Sequence, residues 1–225
     1  MSVATLLALA ALLALPALFV RDSMRDKHRR AAYFQDALAL FDSYRVTQEG
    51  KAWPVLTGRY RGIEVRLEPV QDDMAWRKVP SLWLKVTLLS PNQSRGTLGF
   101  LARPRGGEFY SPTPEMRHRL AIPAGWPTDG LFCTDDRETA PDSRSLTPQM
   151  DIFQDPRMKD LVITPRGVRL VYQSAQAERA DYLVLRQARF LNNKVDAALL
   201  RLLLDRAVSI AQVVDGARRA QPMAA

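Results

Sequence analysis

The sequence predicts an α+β fold, in which an N-terminal transmembrane helix precedes a mostly antiparallel β-sheet domain. An N-terminal amphipathic helix and a long C-terminal helix are expected to cover that sheet. Three observations predict this fold: the chain opens with an uncharged apolar run, its middle alternates apolar and polar residues, and its end carries a helical apolar stripe. With 225 residues, 47% of them hydrophobic, it is long enough for one domain with a core.

The first element is the apolar run. Residues 3 to 20 carry no charge and are mostly Leu, Ala, Val and Phe. As a helix they would extend over about 27 Å, close to a hydrocarbon core of about 30 Å. We therefore expect residues 1–20 to be a single-pass transmembrane anchor. Alternatives are a cleaved signal peptide, which would put the domain in the periplasm, or burial in a partner. A signal peptide usually starts with a basic residue, which is absent here.

A basic juxtamembrane stalk follows at residues 21–30. By the positive-inside rule such a flank stays in the cytoplasm, and its cations contact anionic lipid headgroups. We expect an inner-membrane protein with its N-terminus outside and its C-terminal domain in the cytoplasm. The predicted membrane-surface residues of the stalk are Arg21, Arg25, Lys27, Arg29 and Arg30.

A second candidate for the membrane surface lies in the domain. Trp76, Arg77 and Lys78 combine an amphipathic ring with cations, a mixture typical of headgroup level. The alternative is an ordinary loop, with the nearby Trp83 in the core of a strand. Because no nucleic-acid-binding module is recognisable, nucleic acid is not an expected partner.

Residues 31–218 are expected to form a single α+β domain. Its first element is an amphipathic helix over residues 31–44, because Tyr33, Ala37, Leu40, Phe41 and Tyr44 recur at the spacing of one helical face. We expect this helix to pack on its own domain; a coiled-coil dimer seam is the alternative.

Consecutive antiparallel strands are expected next. Ile63, Val65 and Leu67 alternate with charged residues, and the segments SLWLKVTLL and GTLGFLARP continue this pattern on either side of a turn-rich stretch. The pattern breaks down in residues 103–148, which are rich in Pro, Gly and Asp; only LFCT in this region resembles a strand.

The last part of the domain mixes helices and strands. A short helix interrupted at Pro156 precedes a clear hairpin, which turns at residues 165–167. Residues 181–191 fit a strand or a helix, and the strand is preferred.

A long helix is expected to close the domain, with Asn193 as its N-cap and Gly216 near its end. Its expected apolar stripe is Val195, Leu199, Leu202, Leu203, Ile210 and Val213, and residues 219–225 are expected to be a disordered tail.

No catalytic, metal or cofactor motif is present in the sequence. Acidic residues gather between Asp129 and Asp142, but without the ligand spacing of a calcium loop. The chain has two histidines, His28 and His118, and one cysteine, Cys133, so neither a zinc centre nor a disulfide is expected. We expect Cys133 to be a small, partly buried residue of a strand.

Three classes of function remain. The preferred class is a membrane-anchored, non-enzymatic adaptor, which binds an unidentified protein partner through the open face of the sheet or the Pro-rich region. The second is a binder of a lipid or other apolar ligand, and the third is an enzyme with an unrecognised acidic site that uses Asp129, Asp135 and Asp136. An apolar cleft would favour the second class, and convergence of those acids would favour the third.

Overall fold

A computed structural model describes residues 3–72, 79–92, 94–179, 182, 188, 190 and 194–219, with side chains described for residue 12 and from residue 14 to residue 216 within these ranges. The predicted α+β class with an antiparallel sheet is confirmed. The long α-helices of the described ranges are α1 (Val3–Ala31) and α2 (Ala197–Arg219), and 3₁₀ helices lie at Gln35–Leu40, Thr113–Glu115 and Arg144–Gln154.

The described residues form one sheet of nine strands with the order β1-β2-β3-β4-β9-β8-β5-β7-β6. All of its neighbouring strands run antiparallel. The strands are β1 (Ser43–Thr47), β2 (Val55–Tyr60), β3 (Ile63–Gln71), β4 (Ser81–Leu89), β5 (Leu98–Ala102), β6 (His118–Arg119), β7 (Gly130–Thr134), β8 (Met158–Thr164) and β9 (Gly167–Gln176).

Helix α1 continues from the apolar run through the basic residues without a break and includes Pro16. Across the described part of the chain, no helix is both long enough and apolar enough to cross a membrane. The C-terminal end of α1 contacts the domain, since Arg30 Nη1 donates a hydrogen bond of 2.7 Å to the carbonyl oxygen of Lys51. The Arg30 guanidinium also lies 5.3 Å from the centre of the Trp53 ring.

The predicted helix over residues 31–44 is wrong. A short 3₁₀ helix replaces it, as Phe41 N bonds to Leu38 O, and the chain then enters β1. Tyr33, Phe34 and Ala37 are buried as expected, but Tyr44 is exposed on the edge strand. There Tyr44 lies opposite Gly58, where a Cβ would come within 2.4 Å of the Ser43 carbonyl oxygen. The glycine therefore allows β1 to pair closely with β2.

The predicted hairpins are confirmed for β2 with β3 and for β8 with β9. However, β5 does not follow β4 in the sheet as predicted; it pairs with β7 and β8, on the far side of β9. The LFCT segment is indeed a strand, β7. The helix expected before Pro156 is a 3₁₀ helix that ends at Gln154. Residues 181–191 lie outside the described residues except for Tyr182, Ala188 and Phe190, and so does the tail beyond Arg219.

The main core lies on one face of the sheet, beneath α2 and two of the 3₁₀ helices. Helix α2 buries Leu200, Leu203, Leu204 and Ile210, whereas Leu202 is 53% exposed. The buried face of the helix therefore differs from the predicted apolar stripe by a rotation of part of a turn. Its cap is Asp196, whose Oδ1 accepts a hydrogen bond of 2.8 Å from Leu199 N. Asn193 lies outside the described residues, and the helix continues past Gly216.

Candidate functional site

The second face of the sheet carries a chain segment instead of a helix. Residues 103–117, here called the strap, leave β5 and cross this face before β6 begins. Tyr110 of the strap packs with Leu101 and Val171 in a small second core, with Trp83 against it. The Trp83 and Tyr110 rings lie 4.6 Å apart between their centres.

A glycine in β5 lets the strap lie close to the sheet. A Cβ built on Gly99 would lie 2.4 Å from Thr113 Oγ1 and 2.9 Å from Met116 Cε. Real Cβ atoms essentially never approach other atoms so closely. The absence of a side chain at Gly99 therefore makes room for the strap.

A buried carboxylate holds the middle of the strap. Ser111 Oγ donates a hydrogen bond of 2.8 Å to Asp160 Oδ1, and Thr113 Oγ1 donates another of 3.1 Å. Asp160 lies in the interior strand β8 and is fully buried. Because burial disfavours its charged form, the pKa of Asp160 is raised to about 6, although the two hydroxyls and Arg169 act in the opposite direction.

A second pair of charges holds the start of the strap. Lys159 Nζ lies 3.6 Å from Glu108 Oε1 and also donates a hydrogen bond to the carbonyl oxygen of Arg103. Both side chains of this pair are almost completely buried. Desolvation lowers the pKa of Lys159, an effect that Glu108 partly offsets. The strap is thus fixed by two buried polar contacts and one aromatic contact.

The strap divides the open face into two clefts. The larger cleft has a volume of about 870 Å³ and lies beside Trp83, Tyr110 and the first half of the strap. Its described lining contains more cations than anions. The acidic residues are Asp72 and Glu108, and the basic residues are Arg103, Arg105, Arg157, Lys159 and Arg179.

Some of these cations are neutralised locally and others are not. Lys159 faces Glu108, and Arg157 Nη2 lies 3.1 Å from Asp155 Oδ2. By contrast, Arg103 donates its hydrogen bonds to the carbonyl oxygens of residues 153, 156 and 158, which carry no net charge. Among the described residues, no hydrogen bond or ion pair engages the guanidinium of Arg105 or Arg179. The larger cleft therefore carries uncompensated positive charge.

The smaller cleft, of about 630 Å³, lies on the other side of the strap. Lys85 and Arg169 supply cations from neighbouring strands, and Leu89, Met116 and Val162 supply apolar surface. Arg169 Nη2 is 3.9 Å from Asp160 Oδ2, too far for a hydrogen bond. Within the part of the chain that the structure describes, the Nε and Nη2 atoms of Arg169 and the Oδ2 atom of Asp160 are buried without hydrogen-bond partners.

The predicted membrane-surface residues of the stalk all lie in the last part of α1. Arg21, Arg25, Lys27 and Arg29 are exposed there, whereas Arg30 is half-buried against the domain. Trp76, Arg77 and Lys78 lie outside the described residues. Trp83, expected in a strand core, is in β4 and packs beneath the strap.

The acidic residues of the third hypothesis do not converge. Asp135 Oδ1 accepts a hydrogen bond from Thr97 N, and Asp136 Oδ1 accepts one from Glu138 N. The Asp129 carbonyl oxygen pairs with Arg103 N in the backbone. Within the described ranges, no group of three or more metal-ligating side chains lies close enough together to hold a metal ion. Cys133 is buried in β7, where desolvation raises the pKa of its thiol.

The sequence reasoning overlooked the residues that shape this face. Lys159 and Asp160 are consecutive charged residues inside the otherwise apolar strand MKDLVIT. Both side chains are buried, which is rare for charged groups unless they have partners. That pair of charges was the available signal.

Comparison with protein-family models gives no match to this chain, and comparison with curated proteins gives none either.

Proposed function

We propose that this protein is a membrane-attached, non-enzymatic binding module that holds an acidic segment of a protein partner in the larger cleft. One observation carries the proposal: Arg103, Arg105 and Arg179 line the cleft without a described carboxylate partner. Guanidinium groups bind carboxylates well because their donors match both carboxylate oxygens. The volume of about 870 Å³ is within the usual range for a ligand cleft.

The way in which the strap is held also supports binding rather than catalysis. Glu108 and Asp160, the buried carboxylates on this face, are engaged with Lys159 and with the strap hydroxyls. They therefore serve to shape the cleft. A preformed cleft binds with a smaller loss of conformational entropy than a mobile one.

Attachment through α1 belongs to the same proposal. The described apolar side chains of its first part are exposed, namely Leu12, Leu15, Leu18, Phe19 and Val20. Exposed apolar side chains in a row are stabilised when lipid covers them. We propose that this part of α1 inserts into the inner membrane and that the basic residues after it stay at the cytoplasmic surface.

A peptide-binding measurement tests the role of the cleft. The full chain, in nanodiscs of zwitterionic lipid, is titrated into a labelled peptide of Glu-Ser repeats, with Gln-Ser repeats as the uncharged control. We expect binding of the acidic peptide alone, weakening as salt is added. The double variant Arg105→Glu, Arg179→Glu should weaken it at least about tenfold, whereas Arg45→Glu on the exposed strand β1 should not. Equal binding of the two peptides would refute the proposal.

A separate experiment tests the orientation. Alkaline phosphatase or a fluorescent protein is fused after Ala225, and both fusions are expressed in bacterial cells. Fluorescence without phosphatase activity is expected for a cytoplasmic domain. Phosphatase activity would instead place the domain in the periplasm, and it would leave the peptide result unaffected.

A further inference from the structure

Lys85 and Arg169 are two neighbouring cations on the open face, and neither has a hydrogen-bond partner among the side chains that the structure describes. Arg169 lies opposite Thr87, two residues along β4 from Lys85, so both side chains leave the same face of adjacent strands. Neither side chain donates a hydrogen bond to any residue in the described ranges. Both line the smaller cleft.

The acids near these two cations have other partners. Glu68 lies directly opposite Lys85, but its Oε1 accepts a hydrogen bond of 2.9 Å from Arg66 Nη2. Asp160 Oδ1 is taken by the strap hydroxyls, and its Oδ2 lies beyond hydrogen-bond distance from Arg169. Lys85 and Arg169 are therefore left with unused donors.

The two cations also repel one another. Desolvation lowers the pKa of Lys85 and the positive charge of Arg169 lowers it further, while the charges of Glu68 and Asp160 offset only part of this shift. An anion bound between them would relieve this repulsion and would supply acceptors for both side chains. A carboxylate or a phosphate group fits this requirement.

The rest of the described lining of the smaller cleft is mixed: Arg117 and Arg166 add cations, Glu68, Glu115 and Asp135 add carboxylates, and one part of it is apolar. Leu89, Pro112, Met116 and Val162 supply the apolar part, and the volume of the cleft is about 630 Å³. Apolar surface next to two cations is the arrangement that accepts a molecule with an anionic head and a hydrocarbon tail.

We infer that the smaller cleft is a binding site for an amphiphilic anion, whose head contacts Lys85 and Arg169 and whose tail lies along Leu89, Met116 and Val162. This site is separate from the larger cleft, because the strap lies between them. It does not depend on the acidic partner proposed above. The head is a carboxylate or a phosphate, two groups that share the same acceptor chemistry.

Short-chain probes test this inference. Radiolabelled octanoate, octyl phosphate and octanol are equilibrated with the full chain in nanodiscs, and binding to empty nanodiscs is subtracted. We expect one saturable site per chain for at least one of the two anions, with octanol at least about tenfold weaker. The preferred anion identifies the head group. Equal binding of octanol and both anions would overturn the inference.

Matched variants locate the site. Lys85→Met and Arg169→Met should each weaken binding of the preferred anion at least about tenfold, while Arg45→Met on strand β1 should leave it unchanged. Because Arg169 is partly buried, its variant is used only if thermal unfolding shows that it is folded. If it is not folded, Lys85→Met alone decides. Unchanged binding by a folded Lys85→Met variant would also overturn the inference.

Discussion

Ser111 Oγ lies 2.8 Å from Asp160 Oδ1, and this contact connects the middle of the strap to the interior strand β8 of the sheet. Thr113 donates to the same oxygen, and Thr113 N bonds back to Ser111 Oγ. All three side chains are buried. The position of the strap, and with it the shape of both clefts, therefore depends on a small polar network.

Removing the two hydroxyls should destabilise the protein. In the double variant Ser111→Ala, Thr113→Val, the buried Asp160 Oδ1 loses both donors, which costs about 1–3 kcal/mol in unfolding free energy. Chemical unfolding of the full chain in detergent measures this loss. Ser145→Ala is the control, because Ser145 makes an exposed bond to the Asp142 carbonyl oxygen, and its effect should stay within about 0.5 kcal/mol. Equal effects of the two changes would contradict the role of the network.

The stability should depend on pH through Asp160. Its pKa is raised from 3.8 to about 6 on folding, so between these values the folded state binds more protons than the unfolded state. This group therefore lowers stability as pH rises from about 4 to about 6, by roughly 2–3 kcal/mol at most. Nearby charges that contribute are those of Lys85, Lys159 and Arg169.

The comparison with Asp160→Asn isolates this effect. Glu68 and Asp155 have lowered pKa values and lose stabilisation in acid, which is the opposite trend. Subtracting the variant's unfolding free energy from that of the wild type, pH by pH, removes these shared contributions. A difference that does not change between pH 4 and pH 7 would show that Asp160 titrates at its ordinary value.

A methyl group at Gly99 should displace the strap. Because the added Cβ would overlap Thr113 Oγ1, we expect Gly99→Ala to destabilise the protein by about 1–3 kcal/mol. Gly216→Ala provides a matched control: its Cβ would meet no atom within 4 Å, and alanine favours the helix by about 0.5–1 kcal/mol. Thermal unfolding should thus move in opposite directions for the two substitutions. Equal shifts would argue against close packing at Gly99.

Cys133 should be unreactive in the folded protein. Its side chain is 3% exposed, and burial raises the pKa of the thiol, so little thiolate is available. We expect iodoacetamide to label the native chain at least about a hundredfold more slowly than the chain in urea. Mass spectrometry over time measures both rates. Rapid native labelling would mean that β7 opens readily.

The sequence predicted those elements whose signals are local. Alternating residues indicated β3, and the turn at residues 165–167 joined β8 to β9. The helix over residues 31–44 was wrong because the buried residues Tyr33, Phe34 and Ala37 fit a 3₁₀ turn as well as an α-helix. The placement of β5 between β8 and β7 is a long-range pairing that no short pattern specifies.

The site was harder to predict than the fold for a similar reason. Ser111 and Asp160 are 49 residues apart in sequence, and the pairing of β8 with β5 brings the strap over Asp160, whereas Arg169 joins them through the local β8–β9 hairpin. Polar residues of the strap resembled ordinary loop residues because their partners were unknown. Lys159 and Asp160 are visible in the sequence, but they fall in the segment after Pro156 that was predicted as part of a short helix, and the predicted hairpin began only after them.

The strap is a wall shared by the two clefts. Tyr110 faces the larger cleft, and Pro112 and Met116 face the smaller one only a few residues later. A molecule that shifts this wall on entering one cleft must also alter the other. By thermodynamic reciprocity, an amphiphile that changed the affinity for an acidic partner by some factor would have its own affinity changed by that partner by the same factor. The affinities of the two clefts for their ligands are coupled in this way through the strap alone.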